Sequence, residues 1–227
     1  MHCYSIVIPC YNEFNNLKKL IPEIDTYLKD YKFFELIIVN DFSKDNTLNI
    51  KKYLNTNIEI KLINNIENKG QSFSIYEGVK NSKFDNIITL DGDCQNNPKD
   101  ILRLISSYED KSLDLIGGIR KKRKDTFQKK ISSFLANKIR KLILNDDCDD
   151  SACGLKIFKK KYFLLIPFFS GLHRFLPALF NGMKCKILFI DIDHRERNFG
   201  KSNYGNFTRL IYGIRDIFRV LTIIKRI

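Results

Sequence analysis

The chain has 227 residues, a length that suits one α/β domain with a full hydrophobic core. Its formal net charge of +13 at pH 7 predicts an anionic partner, for which nucleic acid, nucleotide phosphates and acidic lipid headgroups all qualify. No apolar run reaches the roughly 20 residues that cross a bilayer, and no secretory leader is evident. The six cysteines form no CxxC pair and no zinc-ligand spacing, so we expect reduced thiols in a cytosolic protein.

Short apolar runs alternate with segments of helical spacing along the chain. The apolar runs predict strands over 4–9, 36–39, 58–63, 87–90, 114–119 and 187–192. The segments between them predict helices over 15–28, up to about 54, over 71–81, over 98–108 and over 171–182. Strands and helices that alternate with short connections predict a mostly parallel sheet with helices on both faces.

Polar residues follow several of the predicted strands at the point where each strand ends. Because the carboxyl ends of parallel strands meet at one edge of a sheet, these loops should line a common crevice. The residues that we expect there are Tyr11, Glu13, Asp41, Lys69, Asp91 and Asp93. Each loop taken alone is better explained as a turn or a helix cap, but their recurrence after three strands favours a nucleotide site.

The segment Asp91-Gly92-Asp93 directly follows an apolar strand. Side chains at i and i+2 lie on the same side of an extended backbone, so the two carboxylates can converge on one Mg²⁺ or Mn²⁺ ion. Gln95 could supply a third oxygen ligand. An ordinary turn is the alternative, whereas a calcium loop is disfavoured because Leu102 stands where that loop needs an acid.

Four motifs resemble those of family 2 glycosyltransferases, which have the GT-A fold, a Rossmann-like mostly parallel sheet with helices on both faces. The matching segments are 6–13, 39–47, 68–70 and 91–95. The resemblance extends to about residue 215 and is closest to the dolichyl-phosphate mannose synthase branch. Two departures lie in the second motif, where Asn40 replaces the first of two acids and Phe42 replaces a glycine.

The resemblance implies a role for each residue that matches a family motif. Catalysis would involve Asp91, Asp93, Arg120 and Arg197, with Asp91, Asp93 and Gln95 holding the metal. The nucleotide sugar would contact Pro9, Tyr11, Glu13, Asp41, Lys69, Asp91, Gly92 and Lys201. The acceptor or a phosphate would contact Arg123, Ser133, Asn137, Arg174 and Ser202. The segment that includes Arg197 and Lys201 resembles a loop that closes over a nucleotide diphosphate.

The most basic run of the chain extends from Arg120 to Lys124. Taken alone, it is typical of a solvated surface loop or a nucleic-acid-binding patch, but its place after a strand favours a phosphate role. Further along, residues 149–154 resemble the family's acid-x-x-x-Cys-Gly segment on the acceptor side, which implies that Asp149 or Asp150 could face the sugar. An ionised phosphate acceptor needs no general base, so the base is left unassigned.

We expect two parts, a GT-A domain over 1–205 and an amphipathic C-terminal helix over 206–227. Phe207, Leu210, Ile211, Ile214, Ile217, Phe218, Leu221 and Ile224 would share one apolar stripe of that helix. The stripe fits a membrane interface and packing on the domain equally well. Membrane contact would be peripheral, at the cytoplasmic face, unless a membrane-anchored partner subunit holds the chain.

The resemblance implies an inverting glycosyltransferase that moves a hexose from GDP-mannose or a UDP-hexose to a polyisoprenyl phosphate, dolichyl or undecaprenyl. Transfer to a sugar hydroxyl of a glycan or glycolipid is the alternative within this class. A basic nucleic-acid-binding domain around residues 120–141 is the alternative from another class. The absence of tryptophan and the acidic pair at the strand end argue against it, so we expect no nucleic-acid partner.

Overall fold

The computed structural model describes residues 3–31, 34–56, 58–121, 138, 140–196 and 206–227, with side chains in the last segment from Arg215 onward. The strands are β1 Tyr4–Cys10, β2 Phe34–Asn40, β3 Ile60–Asn64, β4 Asn86–Thr89, β5 Leu115–Arg120, β6 Lys156–Lys159 and β7 Ile187–Ile192. The helices are α1 Phe14–Leu28, α2 Gln71–Lys80, α3 Lys99–Asp110, α4 Lys160–Leu165, α5 Leu172–Gly182 and α6 Asn206–Ile224, and Asn46–Tyr53 forms a 3-10 helix.

The strands form one seven-stranded sheet in the order β3-β2-β1-β4-β6-β5-β7. All neighbouring pairs are parallel except those of β6, which runs antiparallel to both β4 and β5. The prediction of a mostly parallel sheet is therefore confirmed. The chain runs from β1 towards β3 on one side and continues with β4 on the other, so the ligand crevice belongs between the ends of β1 and β4.

The sheet is buried on both faces because its central strands carry runs of consecutive apolar residues, such as Ile6–Ile8 in β1 and Leu36–Val39 in β2. In β1, Ile6 and Ile8 point into the core beneath α1 and α3, whereas Val7 points into the core beneath α2 and α5. All three side chains are fully buried. Buried apolar runs of this kind predict the two-sided packing that the structure has.

Two elements differ from the helical spacing that the sequence predicts. The segment before Leu54 is a 3-10 helix, in which the buried Thr47 and Ile50 lie three residues apart, the repeat of a 3-10 turn. Helix α4 was not predicted, because its six residues bury only Phe163 and are too short to display a period. Of the helices in the described segments, none is long and apolar enough to cross a bilayer.

Helix α6 packs against α5 through Ile217, Val220 and Ile223, which are buried. This arrangement supports packing on the domain for the part of the tail whose side chains are described. The predicted stripe is partly wrong there, because Phe218 is 62% exposed and the buried face includes Val220 and Ile223 instead. Asp216 on the same buried face lies 3.2 Å from the Arg174 guanidinium on α5.

Candidate functional site

The loop after β4 packs closely against the end of β1. A Cβ atom on Gly92 would lie 3.3 Å from the carbonyl oxygen of Pro9, so glycine permits the two loops to approach each other. Cys94 has a φ of 61°, which turns the chain, and Asp93 Oδ1 accepts a hydrogen bond from the Gln95 N–H at 3.1 Å. The segment thus lies against the end of β1, whereas the convergence of Asp91 and Asp93 on a metal ion stays a prediction.

Two residues outside the predicted site fix the position of the Asp91 carboxylate. Gln71, at the start of α2, donates its amide N–H to Asp91 Oδ1 at 2.8 Å. Gly154 lies beneath the carboxylate, and a Cβ atom there would come within 2.2 Å of Asp91 Oδ2. The family's Cys-Gly segment was the only signal for Gly154, and no local pattern indicated Gln71.

Asp41 is buried and its carboxylate binds the loop before α2. It accepts hydrogen bonds from the Lys69 N–H at 2.9 Å, the Gly70 N–H at 2.7 Å and the Asn65 amide at 2.7 Å. Its own carbonyl oxygen accepts from the Asn68 amide at 3.1 Å. Asp41 thereby fixes the backbone of the loop before α2. Its contact with a nucleotide stays a prediction.

The loop after β1, which carries Tyr11 and Glu13, is fixed to the loop after β2. The Asn12 N–H donates to Ser43 Oγ at 2.8 Å, and Asn12 Oδ1 accepts from the Lys44 N–H at 2.7 Å. Glu13 accepts a short hydrogen bond from the Asn16 amide. Tyr11 is half-buried at the tip of this loop.

Lys69 and Phe73 lie together beside the Asp41 loop. The Lys69 ammonium is 4.7 Å from the Phe73 ring centroid and 3.4 Å from Glu67 Oε1. The side chain is 35% exposed, so the cation is stabilised by a ring and a carboxylate without being removed from solvent.

Arg120, at the end of β5, forms a bidentate ion pair with Asp150. Its Nε and Nη2 donate to the two Asp150 carboxylate oxygens at 2.7 Å each, and its backbone N–H donates at 3.2 Å. Burial alone would lower the pKa of the guanidinium, but the hydrogen bonds and charge of Asp150 outweigh it and raise the pKa. Asp149, by contrast, is exposed and pairs with Lys141.

Arg174 and His173, on the first turn of α5, face different partners. The Arg174 Nη2 atom is 3.2 Å from Asp216 Oδ2, while the buried Nε atom of Arg174 has no partner among the described residues. His173 Nδ1 is 2.6 Å from the hydroxyl of Ser72 on α2, and Ser72 also accepts from the Gly171 N–H at 2.9 Å. The pair joins α5 to the helix that carries Gln71.

The chain leaving β7 returns to the Asp-Gly-Asp loop. Arg195 donates its backbone N–H to the Gln95 carbonyl oxygen at 2.8 Å, and its guanidinium donates to Glu23 at 2.6 Å and to Asn97 at 2.7 Å. No sequence pattern marks Arg195 as a residue of this contact. The predicted site residues Arg123, Ser133, Asn137, Arg197, Lys201 and Ser202 lie outside the described residues.

The donor atoms that could hold a metal here are oxygens. No group of three Asp, Glu, His or Cys residues suited to a metal occurs in the described part of the chain. The candidate ligands are the Asp91 and Asp93 carboxylates and the amide oxygen of Gln95. Such oxygen donors suit a hard divalent cation that completes its coordination with ligands from outside the protein. Burial raises the pKa of the neighbouring Cys94 thiol to about 11, so this thiol is neutral at pH 7 and a poor ligand.

The sheet order and its crevice define the GT-A class of nucleotide-binding folds. Several solved structures share this fold with TM-scores near 0.7 over 97% of the chain. They include glucosyl-3-phosphoglycerate synthase from Mycobacterium tuberculosis with Mn²⁺, UDP-glucose and phosphoglyceric acid (15% identity, TM-score 0.70, 78% of that chain). Another is mannosyl-3-phosphoglycerate synthase from Rubrobacter xylanophilus (13% identity, TM-score 0.68, 73% of that chain).

The model of glycosyl transferase family 2 matches residues 5–165, and the chain belongs to that family. The chain is 33% identical over 223 residues to a dodecaprenyl-phosphate galacturonate synthase of Rhizobium johnstonii. It is 32% identical over 221 residues to an undecaprenyl-phosphate 4-deoxy-4-formamido-L-arabinose transferase of Shewanella sediminis. Each match covers 96% of this chain but only 66% of the relative's length. The predicted family is confirmed.

Proposed function

We propose that the chain is an inverting glycosyltransferase that moves a hexose from a nucleotide diphosphate sugar to a polyisoprenyl phosphate. The observation that supports the proposal is the oxygen-donor segment Asp91–Asp93 just after β4, together with the largely buried cation Arg120 at the end of β5. The names of the two relatives support a polyprenyl-phosphate acceptor over a sugar hydroxyl. Their greater length leaves the complete activity as part of this proposal.

In this mechanism Asp91 and Asp93 would hold Mg²⁺ or Mn²⁺, with Gln95 assisting. The ion would offset the charge that develops on the nucleotide diphosphate leaving group. Gln71 and Gly154 orient the Asp91 carboxylate, and Asp41 fixes the backbone of the Lys69–Gly70 loop beside it. The metal, the nucleotide and the sugar donor are therefore assigned to the edge formed by β1, β2, β3 and β4.

The acceptor phosphate would approach from the side of Arg120, and Arg123 and Arg174 are the further cations predicted to contact it. A phosphomonoester is largely ionised at pH 7 and can attack the anomeric carbon without a general base. This chemistry agrees with the engagement of Asp150 by Arg120, which makes Asp150 a residue that orients a cation. Positioning and charge neutralisation would then carry most of the rate enhancement.

Nucleotide binding provides the direct test of the donor assignment. We expect GDP or UDP, and the matching nucleotide hexose, to raise the melting temperature by several degrees in the presence of Mn²⁺ and much less after chelation by EDTA. Labelled hexose should then enter undecaprenyl or dolichyl phosphate in preference to an oligosaccharide acceptor. Stabilisation by duplex or single-stranded nucleic acid with steep salt dependence, and none by any nucleotide, would instead favour the alternative class.

A lipid acceptor also requires contact with a membrane, which we propose to be peripheral and cytoplasmic, with or without an anchored partner subunit. A groove of about 690 Å³ between the α4 loop and α6 is lined by Leu165, Phe168, Arg219, Arg226, Ile227 and their neighbours. Leu165 is 64% exposed and Phe218, on the outer face of α6, is 62% exposed. Exposed apolar side chains among arginines are typical of a surface that binds an anionic bilayer.

We expect Leu165→Ser and Phe218→Ser each to lower binding to anionic phospholipid vesicles about tenfold, because each removes apolar area that would enter the interface. Co-sedimentation with vesicles of neutral and anionic composition measures this. Leu48→Ser is the matched control, since Leu48 is 53% exposed on the 3-10 helix, whose Ile50 packs into the core on the opposite face of the sheet. Equal vesicle binding by all three variants would count against this surface.

A further inference from the structure

Phe42 combines an unfavourable backbone with an exposed aromatic ring. Its φ is 63°, in the left-handed region that bulky side chains rarely adopt, and its side chain is 50% exposed. It belongs to neither hydrophobic core. Burial of the ring therefore does not offset the energetic cost of this conformation. The family pattern has a glycine at this position.

The residues on either side of Phe42 fix the loop rigidly. Asp41 is buried and bound by the N–H groups of Lys69 and Gly70. Ser43 donates its N–H to Asn40 Oδ1 at 3.1 Å and accepts from the Asn12 N–H at 2.8 Å. The Phe42 backbone is thus held between the loop after β1 and the loop before α2, which are the two loops nearest the end of β2.

The location of Phe42 corresponds to the nucleoside end of the proposed donor site. If the diphosphate is bound at Asp91 and Asp93, its sugar faces the side of Gly154 and Arg120, beyond β4. The nucleoside then extends in the other direction, over the ends of β1 and β2. A flat, exposed phenyl ring at that point offers a stacking surface to a base, which every nucleobase can use.

We propose that Phe42 is a base-stacking residue of the donor site, and that the left-handed backbone is retained because it presents the ring to the nucleobase. The inference rests on the proposed function for the identity of the ligand. It concerns a position at which this chain departs from the family pattern. In this chain an aromatic ring stands at a position where the family pattern has a glycine, which has no side chain.

Phe42→Gly should change stability and nucleotide affinity in opposite directions. Glycine relieves the left-handed strain, so the melting temperature of the free protein should rise by roughly 2 °C. Loss of stacking should weaken UDP or GDP binding in Mn²⁺ by about five- to a hundredfold. Binding of inorganic pyrophosphate, which has no base, should be unchanged. Phe42→Leu keeps the strain but removes the aromatic ring, so it should weaken nucleotide binding without the gain in stability.

Lys184→Gly is the matched control, because Lys184 also has a positive φ, of 56°, and lies after α5, away from the sheet edge. It should gain stability and leave nucleotide binding unchanged. Calorimetric titration of each variant with UDP, GDP and pyrophosphate gives these values. Unaltered nucleotide affinity in Phe42→Gly, or an equal loss of pyrophosphate binding, would overturn the stacking role alone. Failure of the wild-type protein to bind any nucleotide would instead overturn the proposed function.

Discussion

A Gly154→Ala variant is expected to lose sugar transfer almost as completely as Asp91→Ala. The added methyl group would lie 2.2–2.4 Å from all three atoms of the Asp91 carboxyl group, so the carboxylate must leave its position. A bound metal supplies several kcal/mol of charge stabilisation. Misplacing its ligand should therefore lower kcat/KM by about a hundredfold or more, and removing it by about a thousandfold. Steady-state transfer assays at saturating Mn²⁺ measure both effects.

Gly182→Ala provides the control for this experiment. Its added methyl would lie 2.8 Å from Ile224, a milder crowding that involves a flexible apolar side chain at the far end of α5. We expect that variant to lose stability and to keep kcat/KM near the wild-type value once folded. Near-normal transfer by Gly154→Ala, or by an Asp91→Ala variant with an intact circular dichroism spectrum, would reject the proposed metal site.

An Asp150→Asn variant is expected to lose both stability and acceptor affinity. The substitution replaces one carboxylate oxygen with an amide that faces the Arg120 N–H groups, and breaking a buried ion pair from one side typically costs about 3–5 kcal/mol. With Arg120 no longer oriented, the KM for the acceptor phosphate should rise more than tenfold, while the KM for the donor changes little. Initial rates over a matrix of donor and acceptor concentrations separate the two constants.

Asp149→Asn is the neighbouring control. The Asp149 side chain is 66% exposed and pairs with Lys141, and exposed ion pairs contribute only about 0–1 kcal/mol. Asp150→Glu keeps the charge and should restore part of the acceptor affinity, which a purely structural role would not require. A larger loss of transfer in Asp149→Asn than in Asp150→Asn would reverse the assignment and make Asp149 the functional acid.

Local sequence patterns were sufficient to predict the strands β1 to β4, at whose edge the donor site is proposed. Apolar runs identify β1, β2 and β4 because these strands are buried on both faces, and the polar residues that follow them mark the crevice. The helix that follows Pro98 was predicted from its apolar spacing, and at its start the Lys99 N–H donates to Asn97 Oδ1 at 3.1 Å. These features depend on residues that are close in sequence.

The contacts that orient Asp91 and Arg120 could not be predicted in the same way. Gln71 donates to Asp91, Gly154 lies beneath it and Asp150 binds Arg120, and each pair joins residues on different elements. Such pairs leave no periodic pattern in the sequence, because they depend on which strands become neighbours. The outer face of α6 was mispredicted for a related reason: which side of an amphipathic helix is buried depends on the partner, here α5.

β6 is the strand at which the direction of the sheet reverses, since it runs antiparallel to both of its neighbours, β4 and β5. Because β5 runs towards the ligand edge and β6 runs away from it, the segment between them leaves and re-enters the sheet on the same side. Its length and composition can therefore diverge among relatives without changing the register of any strand. The excursion begins directly after Arg120 and includes Asp150, so under the proposed function changes in it would alter the acceptor side and leave the strands that precede Asp41 and Asp91 in place.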